Sequence, residues 1–233
     1  MCGRYVVPNT TDELLSLFDA TGANAAEWKP SYSVAPTDSA PIVREWIHDD
    51  TAQRDVDLAS WGLKPSWAKP RGPAPINARL ESVATNGMFR SAFASQRCLV
   101  PMAGYYEWKQ MEDGKQPYFI HGAGEVLSAA GLYAARQEDD VWKISFTIIT
   151  RAARDASGAI HDRMPVFLTP DVWGQWLSPE KISDKEEVLS MLDRSSVAIA
   201  KTVTTYPVAR TVNNVRTADS EDPGLIEPAA ASG

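Results

Sequence analysis

The second residue of the chain combines more chemistry than any other residue. Cys2 has a small side chain, so we expect a methionine aminopeptidase to remove Met1 and expose an α-amine and a thiol on one residue. With reference pKa values of ~7.7–8.0 for the amine and ~8.5 for the thiol, a fraction of each group is nucleophilic at pH 7. Such a pair condenses with an aldehyde, because the amine forms an imine and the thiol then closes a five-membered thiazolidine ring. The alternative is a Cys2 that only packs as a small apolar residue.

The neighbours of Cys2 and one later segment carry groups that suit an anion. Gly3 would let a reactant approach the backbone, and Arg4 offers a planar guanidinium to a phosphate or a carboxylate. Asn77 and Arg79 lie two residues apart in INARLES, so their side chains share a face if this segment is extended. An amide beside a guanidinium would bind an anion, although an Asn in a turn and an Arg paired with a surface acid explain the same residues.

Two residues are candidates for proton transfer. Glu107 stands in the apolar strand GYYEW, where burial would raise the pKa of its carboxyl into a useful range. A Glu on the outward face beside Lys109 is an equally good interpretation. His161, in HDRMPV, is the best acid–base candidate of the three histidines, and Arg163 is a second possible anion ligand.

The cysteine and histidine content argues against a metal centre. Cys2 and Cys98 are the only cysteines, which is too few for a disulfide framework or a thiolate zinc site, and Cys98 begins an apolar run expected in the core. A glycine-rich phosphate loop is absent from the sequence. We therefore expect neither a metal nor a cofactor, and we expect a cytoplasmic protein because no secretory signal or membrane span is recognisable.

The charge distribution excludes a protein that coats nucleic acid non-specifically. The 233 residues carry a net charge of -7, whereas such binding depends on Lys and Arg. Residues 61–110 are nevertheless basic, with 7 basic and 2 acidic side chains between two acidic flanks. A local basic channel is sufficient for binding a single strand. A solvated surface with chance clustering is the simpler interpretation of this pattern alone.

Hydrophobic periodicity and turn residues predict the order of the elements. We expect a helix that begins at Thr11 and ends at Gly22, a hairpin, an ordered proline-rich binding loop around Trp67, a helix and a strand, then three strands, two helices and a last strand. The hairpin covers 41–47 and 53–63, the loop covers 64–75, the next helix covers 82–95, and the strand after it begins at 97. The three strands cover 118–121, 126–133 and 141–150. The two helices cover 169–177 and 183–194, and the last strand covers 196–209. This order favours an α+β fold with curved antiparallel sheets and helices outside.

Together these motifs resemble the SRAP family, the SOS response-associated peptidase proteins that process abasic sites. The matching stretches are MCGRY at 1–5, INARLES at 76–82, RCLVPMAGYYEW at 97–108, ITRAA at 149–153 and IHDRMPV at 160–166. The resemblance implies a single compact domain with a β-barrel-like core, which we place over 1–216. The four acidic residues and the lack of a basic one over 217–233 predict a flexible tail there. The resemblance also implies covalent capture of abasic sites in single-stranded DNA by a monomer, which shields the lesion from strand cleavage.

The resemblance assigns roles to individual residues. Cys2 would form the thiazolidine crosslink, Asn77 would hold the abasic sugar, and Glu107 and His161 would transfer protons. Removal of Met1 would be the nominal peptidase activity of the family, beside a lyase-type activity. The DNA-binding residues would be Gly3, Arg4, Trp67, Asn77, Arg79, Met88, Phe89, Thr150 and Arg163.

One departure and two alternatives accompany this assignment. Ala68 follows Trp67 where family members often have a second aromatic residue, which changes the wedge that would block a duplex. Glutamine amidotransferase domains also begin Met-Cys-Gly, so an N-terminal-nucleophile amidohydrolase is an alternative. A non-catalytic single-strand binder that uses Trp67 and the basic loop is another, and it would bind intact and abasic oligonucleotides equally.

Overall fold

The computed structural model describes residues 2–69 and 71–229 of the chain. The strands are Tyr5–Val7 (β1), Gly22–Asn24 (β2), Ser31–Val34 (β3), Ser39–His48 (β4), Thr51–Trp61 (β5), Asn77–Arg79 (β6), Arg97–Met102 (β7), Gly104–Met111 (β8), Gly114–His121 (β9), Leu127–Glu138 (β10), Val141–Ala152 (β11), Arg163–Pro165 (β12) and Thr204–Pro207 (β13). The α-helices are Thr11–Phe18 (α1), Arg90–Ser95 (α2), Asp155–Gly158 (α3), Trp173–Leu177 (α4) and Lys185–Ala200 (α5), with 3₁₀ turns at Pro170–Val172, Arg210–Asn213 and Pro223–Ile226. None of the described helices is both long enough and apolar enough to cross a membrane.

Five strands close into a mixed barrel at the centre of the molecule. Strands β5, β4, β7, β10 and β11 pair antiparallel in that order, and β5 then pairs with β11 in parallel to close the ring. The closing register places Ser60 opposite Ser145 and Trp61 opposite Phe146. The buried rings of Trp61 and Phe146 stack with centroids 6.3 Å apart, so apolar contact reinforces a seam of only two residue pairs.

A second sheet lies beside the barrel and separates two apolar clusters. Its strand order is β13-β9-β8-β1-β3. Because side chains alternate along a strand, Tyr5 and Val7 of β1 pack into the main core while Val6 packs into a smaller cluster with Tyr106. The small cluster also contains Phe119, Val208, Val212 and Leu225. The two faces of β1 therefore lead into different environments, which matters for the residues that precede it.

The expected α+β class with a barrel-like core is confirmed. The predicted hairpin is present as β4 and β5, and the proline-rich segment contains no helix or strand over its described residues, 64–69 and 71–75. Cys98 is buried in β7, as expected.

Two predicted elements differ from the structure. The helix expected over 82–95 is confined to α2, because residues 80–89 form turns. The last strand, expected over 196–209, begins only at Thr204, since α5 continues to Ala200. The alternation in SVAIA favours a strand locally, but the hydroxyl of Ser195 accepts a hydrogen bond from the backbone N–H of Thr169 at 2.8 Å. Tertiary contacts of this kind hold the segment in the helix, against its local preference.

The C-terminal segment also differs from the flexible tail that its acidic composition predicts. Over 217–229 it packs on the second sheet: Leu225 is 3% exposed, and the backbone N–H of Ala229 donates to the carbonyl of Pro207 at 2.8 Å. The hydroxyl of Tyr206 donates to the carbonyl of Ile226 at 2.7 Å. Residues 230–233 lie outside the described residues. The burial of a few apolar side chains is therefore sufficient to hold this mostly polar segment against the second sheet.

Replacing Leu225 tests this packing. We expect Leu225→Ala to lower the free energy of unfolding by about 2–5 kcal/mol, the usual range for a buried leucine. Leu17→Ala is the matched control, since Leu17 is exposed on α1 and its loss should change stability by less than about 0.5 kcal/mol. Urea unfolding measures both, and equal midpoints for the two variants would show that the segment is not docked in solution.

Candidate active site

The first residues of the chain lead into β1, which pairs with β8 within the second sheet. Tyr5 lies opposite Tyr105 and Val6 opposite Gly104, and the backbone N–H of Tyr106 donates to the carbonyl of Arg4 at 2.9 Å. This antiparallel register carries Cys2 and Gly3 alongside Glu107. The side chain of Cys2 is fully buried in the main core.

Asn77 attaches Cys2 to the barrel. The short strand β6 pairs in parallel with β11, with Asn77 opposite Ile148 and Arg79 opposite Thr150. The amide nitrogen Nδ2 of Asn77 donates to the carbonyl oxygen of Cys2 at 2.8 Å. The amide oxygen Oδ1 is buried and has no hydrogen-bond partner among the described residues, so it is available to an incoming donor.

Glu107 is a carboxylate in an apolar setting. It is 2% exposed on the face of β8 that also carries the buried Tyr105, and burial raises the pKa of its carboxyl above the ordinary value. Burial also raises the pKa of the Cys2 thiol, and the negative charge of Glu107 raises it further. The thiol is therefore protonated at neutral pH and needs a base to become a nucleophile.

His161 approaches Glu107 from the segment between α3 and β12. The positive charge of a protonated His161 favours the ionised form of Glu107, so it opposes the effect of burial on the Glu107 pKa. The ring nitrogen Nδ1 of His161 accepts from the backbone N–H of Arg163 at 3.0 Å and lies 2.8 Å from a carboxylate oxygen of Asp162. Nδ1 can therefore accept a hydrogen bond from the backbone N–H of Arg163 when it carries no proton, and it can donate one to Asp162 when it does. This pair of partners suits a group that exchanges protons.

Arg163 is held at the end of β11. Its side chain is 13% exposed, and Nη2 donates to the backbone carbonyl of Thr150 at 2.6 Å and to its hydroxyl at 3.3 Å. Nη1 and Nη2 also donate to the carboxylate oxygens of Glu81 at 2.7 and 3.0 Å. Thr150 is fully buried and lies opposite both Arg79 and Pro165. Strand β11 therefore positions β6, which carries Arg79, on one side and β12, which carries Arg163, on the other.

Arg4 lies on the opposite face of the sheet. Its Nη1 donates to the hydroxyl of Ser33 at 3.0 Å and to the carbonyl of Val212 at 3.3 Å, and its guanidinium stands 5.9 Å from the centre of the Trp108 ring. Burial lowers the pKa of this guanidinium below its ordinary value. The structure therefore does not place Arg4 beside Asn77 and Arg163, as a shared role at the DNA backbone would suggest.

The proline-rich loop presents one aromatic side chain to solvent. Trp67 is 60% exposed and lines a cavity of about 80 Å³ together with Met88. Phe89 is buried in the main core, which differs from the surface position that the resemblance implies for it. Gly3 is partly buried at the start of the chain.

Two residues near the site were missed by the sequence analysis. Tyr105 shares a face of β8 with Glu107, and its hydroxyl is buried close enough to Cys2 and Glu107 for their negative charges to raise its pKa, after burial itself. Glu81 binds Arg163 directly. The two-residue alternation in GYYEW was a signal for Tyr105, because it places Tyr105 on the face of Glu107, whereas Glu81 lies in the turn after β6 and had no such signal.

Within the described residues, no group of three or more His, Cys, Asp or Glu side chains is arranged to hold a metal ion. The fold instead brings together a buried carboxylate, a histidine, two arginines and Cys2, whose carbonyl accepts a hydrogen bond from an amide. The other residues are Asn77, Glu107, His161, Arg79 and Arg163. These residues form the candidate site around Cys2.

Comparison with known proteins identifies the class. The sequence matches the family described as SOS response associated peptidase (SRAP) over residues 1–215. The chain therefore belongs to the SRAP family. It is similar to the abasic site processing protein YedK of Escherichia coli K12, at 32% identity over 233 residues that cover 98% of this chain and 100% of that protein. It is 35% identical over 189 residues to the abasic site processing protein YoaM of Bacillus subtilis 168, covering 78% of this chain and 82% of that one.

Solved structures share the fold. A protein from Bacteroides thetaiotaomicron matches with a TM-score of 0.81 at 23% identity, covering 98% of this chain and 100% of that chain. A phage-related protein from Bordetella bronchiseptica matches with a TM-score of 0.66 at 27% identity, covering 89% and 94%.

The raised pKa of Glu107 predicts a specific pH dependence of stability. Folding favours the protonated carboxyl, so the contribution of Glu107 is fully present below its unfolded pKa of ~4.3 and is lost as pH rises through the folded value. The free energy of unfolding of the natural protein, minus that of Glu107→Gln, should therefore fall above about pH 4.3. The fall should be about 1.4 kcal/mol for each unit by which folding raises the pKa.

Urea unfolding over a series of pH values measures this difference. Glu112→Gln is the control, because it makes the same substitution at an exposed position in the turn after β8. If the Glu107 difference rises with pH, favourable partners outweigh burial in the folded protein.

Proposed function

We propose that this protein processes abasic sites in DNA by forming a covalent bond to them with its own first residue. The observation that carries the proposal is the arrangement around Cys2, whose carbonyl is bound by Asn77 and whose thiol lies beside the buried Glu107. Membership of the SRAP family and the names of the similar proteins support the same substrate. Removal of Met1, by this chain or by a methionine aminopeptidase, frees the amine before capture.

The amine is the first nucleophile, because burial keeps the thiol protonated. The ring-opened abasic sugar offers an aldehyde. As the amine attacks the aldehyde carbon, the protonated carboxyl of Glu107 gives its proton to the aldehyde oxygen. His161 takes a proton from the amine and returns it to the new hydroxyl group, which leaves as water. The product is a protonated imine.

Ring closure then consumes the imine. The carboxylate of Glu107 takes the proton of the Cys2 thiol, and the sulfur bonds to the imine carbon, whose electrons pass to nitrogen. The balance is one aldehyde and one aminothiol giving a thiazolidine and one water, with Glu107 and His161 returned to their starting states. An imine acidifies the adjacent carbon and invites β-elimination, so its removal protects the strand from cleavage. Lyase-type activity would arise at the imine before the ring closes.

The surrounding residues would hold the strand. Asn77 orients the sugar through its buried amide oxygen, and Arg79 and Arg163 bind phosphates beside Thr150. Trp67 and Met88 provide an apolar surface for a flanking base. A phosphate contact by Arg4 would require its guanidinium to leave Ser33 and Val212. We propose that one copy of the chain is sufficient.

The identity of the nucleophile is tested with Cys2→Ala. After incubation with a single-stranded abasic oligonucleotide, intact-mass analysis of the natural protein should show loss of Met1 and an adduct of protein plus DNA minus one water, which survives heating. Cys2→Ala keeps a small second residue and a free amine, so it should give only an imine that is trapped by borohydride. Cys98→Ala removes the other thiol and should leave adduct formation intact.

The outcomes separate the competing functions. A heat-stable adduct with Cys2→Ala contradicts the thiazolidine. If the natural protein forms no adduct but hydrolyses glutamine, the amidohydrolase interpretation is correct. Equal affinity for intact and abasic strands without an adduct identifies a simple binding protein.

The role of Trp67 is tested by comparing two exposed tryptophans. Trp67→Ala should weaken binding of single-stranded DNA by about 1–3 kcal/mol, the usual contribution of one stacked base, without lowering stability. Trp142→Ala is the matched control, because Trp142 is 68% exposed at the far end of β11 from Thr150. Fluorescence anisotropy with a labelled oligonucleotide measures the affinities. Equal losses in both variants would exclude a specific stacking surface at the loop.

A further inference from the structure

Glu81 occupies a position that the mechanism above leaves unexplained. Its carboxylate accepts two hydrogen bonds from Arg163, one from each terminal nitrogen, at 2.7 and 3.0 Å. Arg163 holds the pKa of Glu81 below its ordinary value, and the charge of Arg79 contributes in the same direction. One carboxylate therefore lies in the field of both arginines to which phosphate binding is assigned.

A carboxylate and a phosphate present similar pairs of oxygen atoms to a guanidinium. Arg163 is supported from beneath by the carbonyl of Thr150, whereas the side chain of Glu81 is 55% exposed. Of the two partners, Glu81 is thus the one that can turn away into solvent. Leu80, which precedes it, is fixed by a hydrogen bond from its backbone N–H to the same Thr150 carbonyl at 2.8 Å, so the motion is confined to the Glu81 side chain.

We propose that Glu81 is an internal phosphate mimic, which neutralises Arg163 and Arg79 in the free protein and must be displaced when a DNA phosphate binds there. The inference rests on the proposed function and adds a residue that sets DNA affinity. Each binding event exchanges one anion for another at these arginines. Glu81 therefore weakens binding to any strand and reduces the number of cations that binding releases from the DNA.

The competing explanation is that Glu81 orients Arg163 for the phosphate. The two roles predict opposite signs. If Glu81 competes, its removal tightens binding and steepens the dependence on salt. If it orients, its removal weakens binding and leaves the dependence unchanged or flatter.

The experiment measures non-covalent binding of an intact oligothymidylate, so that no crosslink forms. Anisotropy titrations between about 50 and 200 mM salt give the slope of log K against log salt concentration. Glu81→Gln should steepen the slope by about 0.7, the value for one additional phosphate contact to a single strand. It should also tighten binding roughly two- to fivefold at the lowest salt, within the range of an exposed ion pair.

Two controls isolate the effect. Glu112→Gln makes the same change of net charge at an exposed turn and should leave the slope unchanged. Glu81→Gln in an Arg163→Gln background should lose most of its gain, because the partner through which it acts is missing.

The inference is overturned if Glu81→Gln binds more weakly than the natural protein, or if its slope is unchanged. Its failure is distinct from that of the proposed function. An unchanged slope together with a normal abasic adduct rejects only the role of Glu81. A steeper slope in a protein that forms no adduct rejects the crosslink and retains the phosphate mimic. If the natural protein does not bind the oligonucleotide at any of these salt concentrations, both proposals are wrong.

Discussion

The hydrogen bond from Asn77 to the carbonyl of Cys2 joins the start of the chain to the barrel. A terminal residue ordinarily moves freely, because few contacts restrain it. Here β8 aligns the first residues from one side through the pairing of Tyr5 with Tyr105, and Asn77 holds them from the other. The position of Asn77 depends in turn on β6 lying in parallel against β11. Cys2, the proposed nucleophile, thereby acquires the fixed geometry that is usual for a residue inside a strand.

Burial around Cys2 sets the order of the steps in the proposed mechanism. The same apolar surroundings raise both the pKa of the Cys2 thiol and the pKa of the Glu107 carboxyl. In the proposed mechanism, Glu107 is the acid of the first step, and the loss of its proton creates the base that the second step needs. His161 differs from both, because it is partly exposed and its Nδ1 has partners for either state. In the proposed mechanism, this difference in solvation makes His161 the group that exchanges protons with water and Glu107 the group that acts within the enclosed site.

Much of the site could be predicted because it lies on strands, where the two-residue period fixes which side chains share a face. Asn77 and Arg79 are in an extended segment, which was the condition for their side chains to share a face, and Glu107 faces inward as one interpretation of GYYEW requires. The parallel pairing of β5 with β11 could not be predicted, since it joins residues 85 positions apart with no local signal. Arg4 and Phe89 ended in packed surroundings for the same reason, because only the assembled sheets define which face is covered. The acidic composition of the C-terminal segment predicted a flexible tail, which is wrong for its described residues. Leu225 packs into the small apolar cluster despite the acidic residues around it.

The enclosed position of Cys2 has a practical consequence for recombinant work. An affinity tag fused ahead of Cys2 would lock its amine in a peptide bond and add bulk at a residue whose side chain is fully buried. Such a preparation could fold and still be inert towards aldehydes, and the inertness would reflect the fusion. A tag beyond the C-terminal segment leaves the amine free and is the sounder choice.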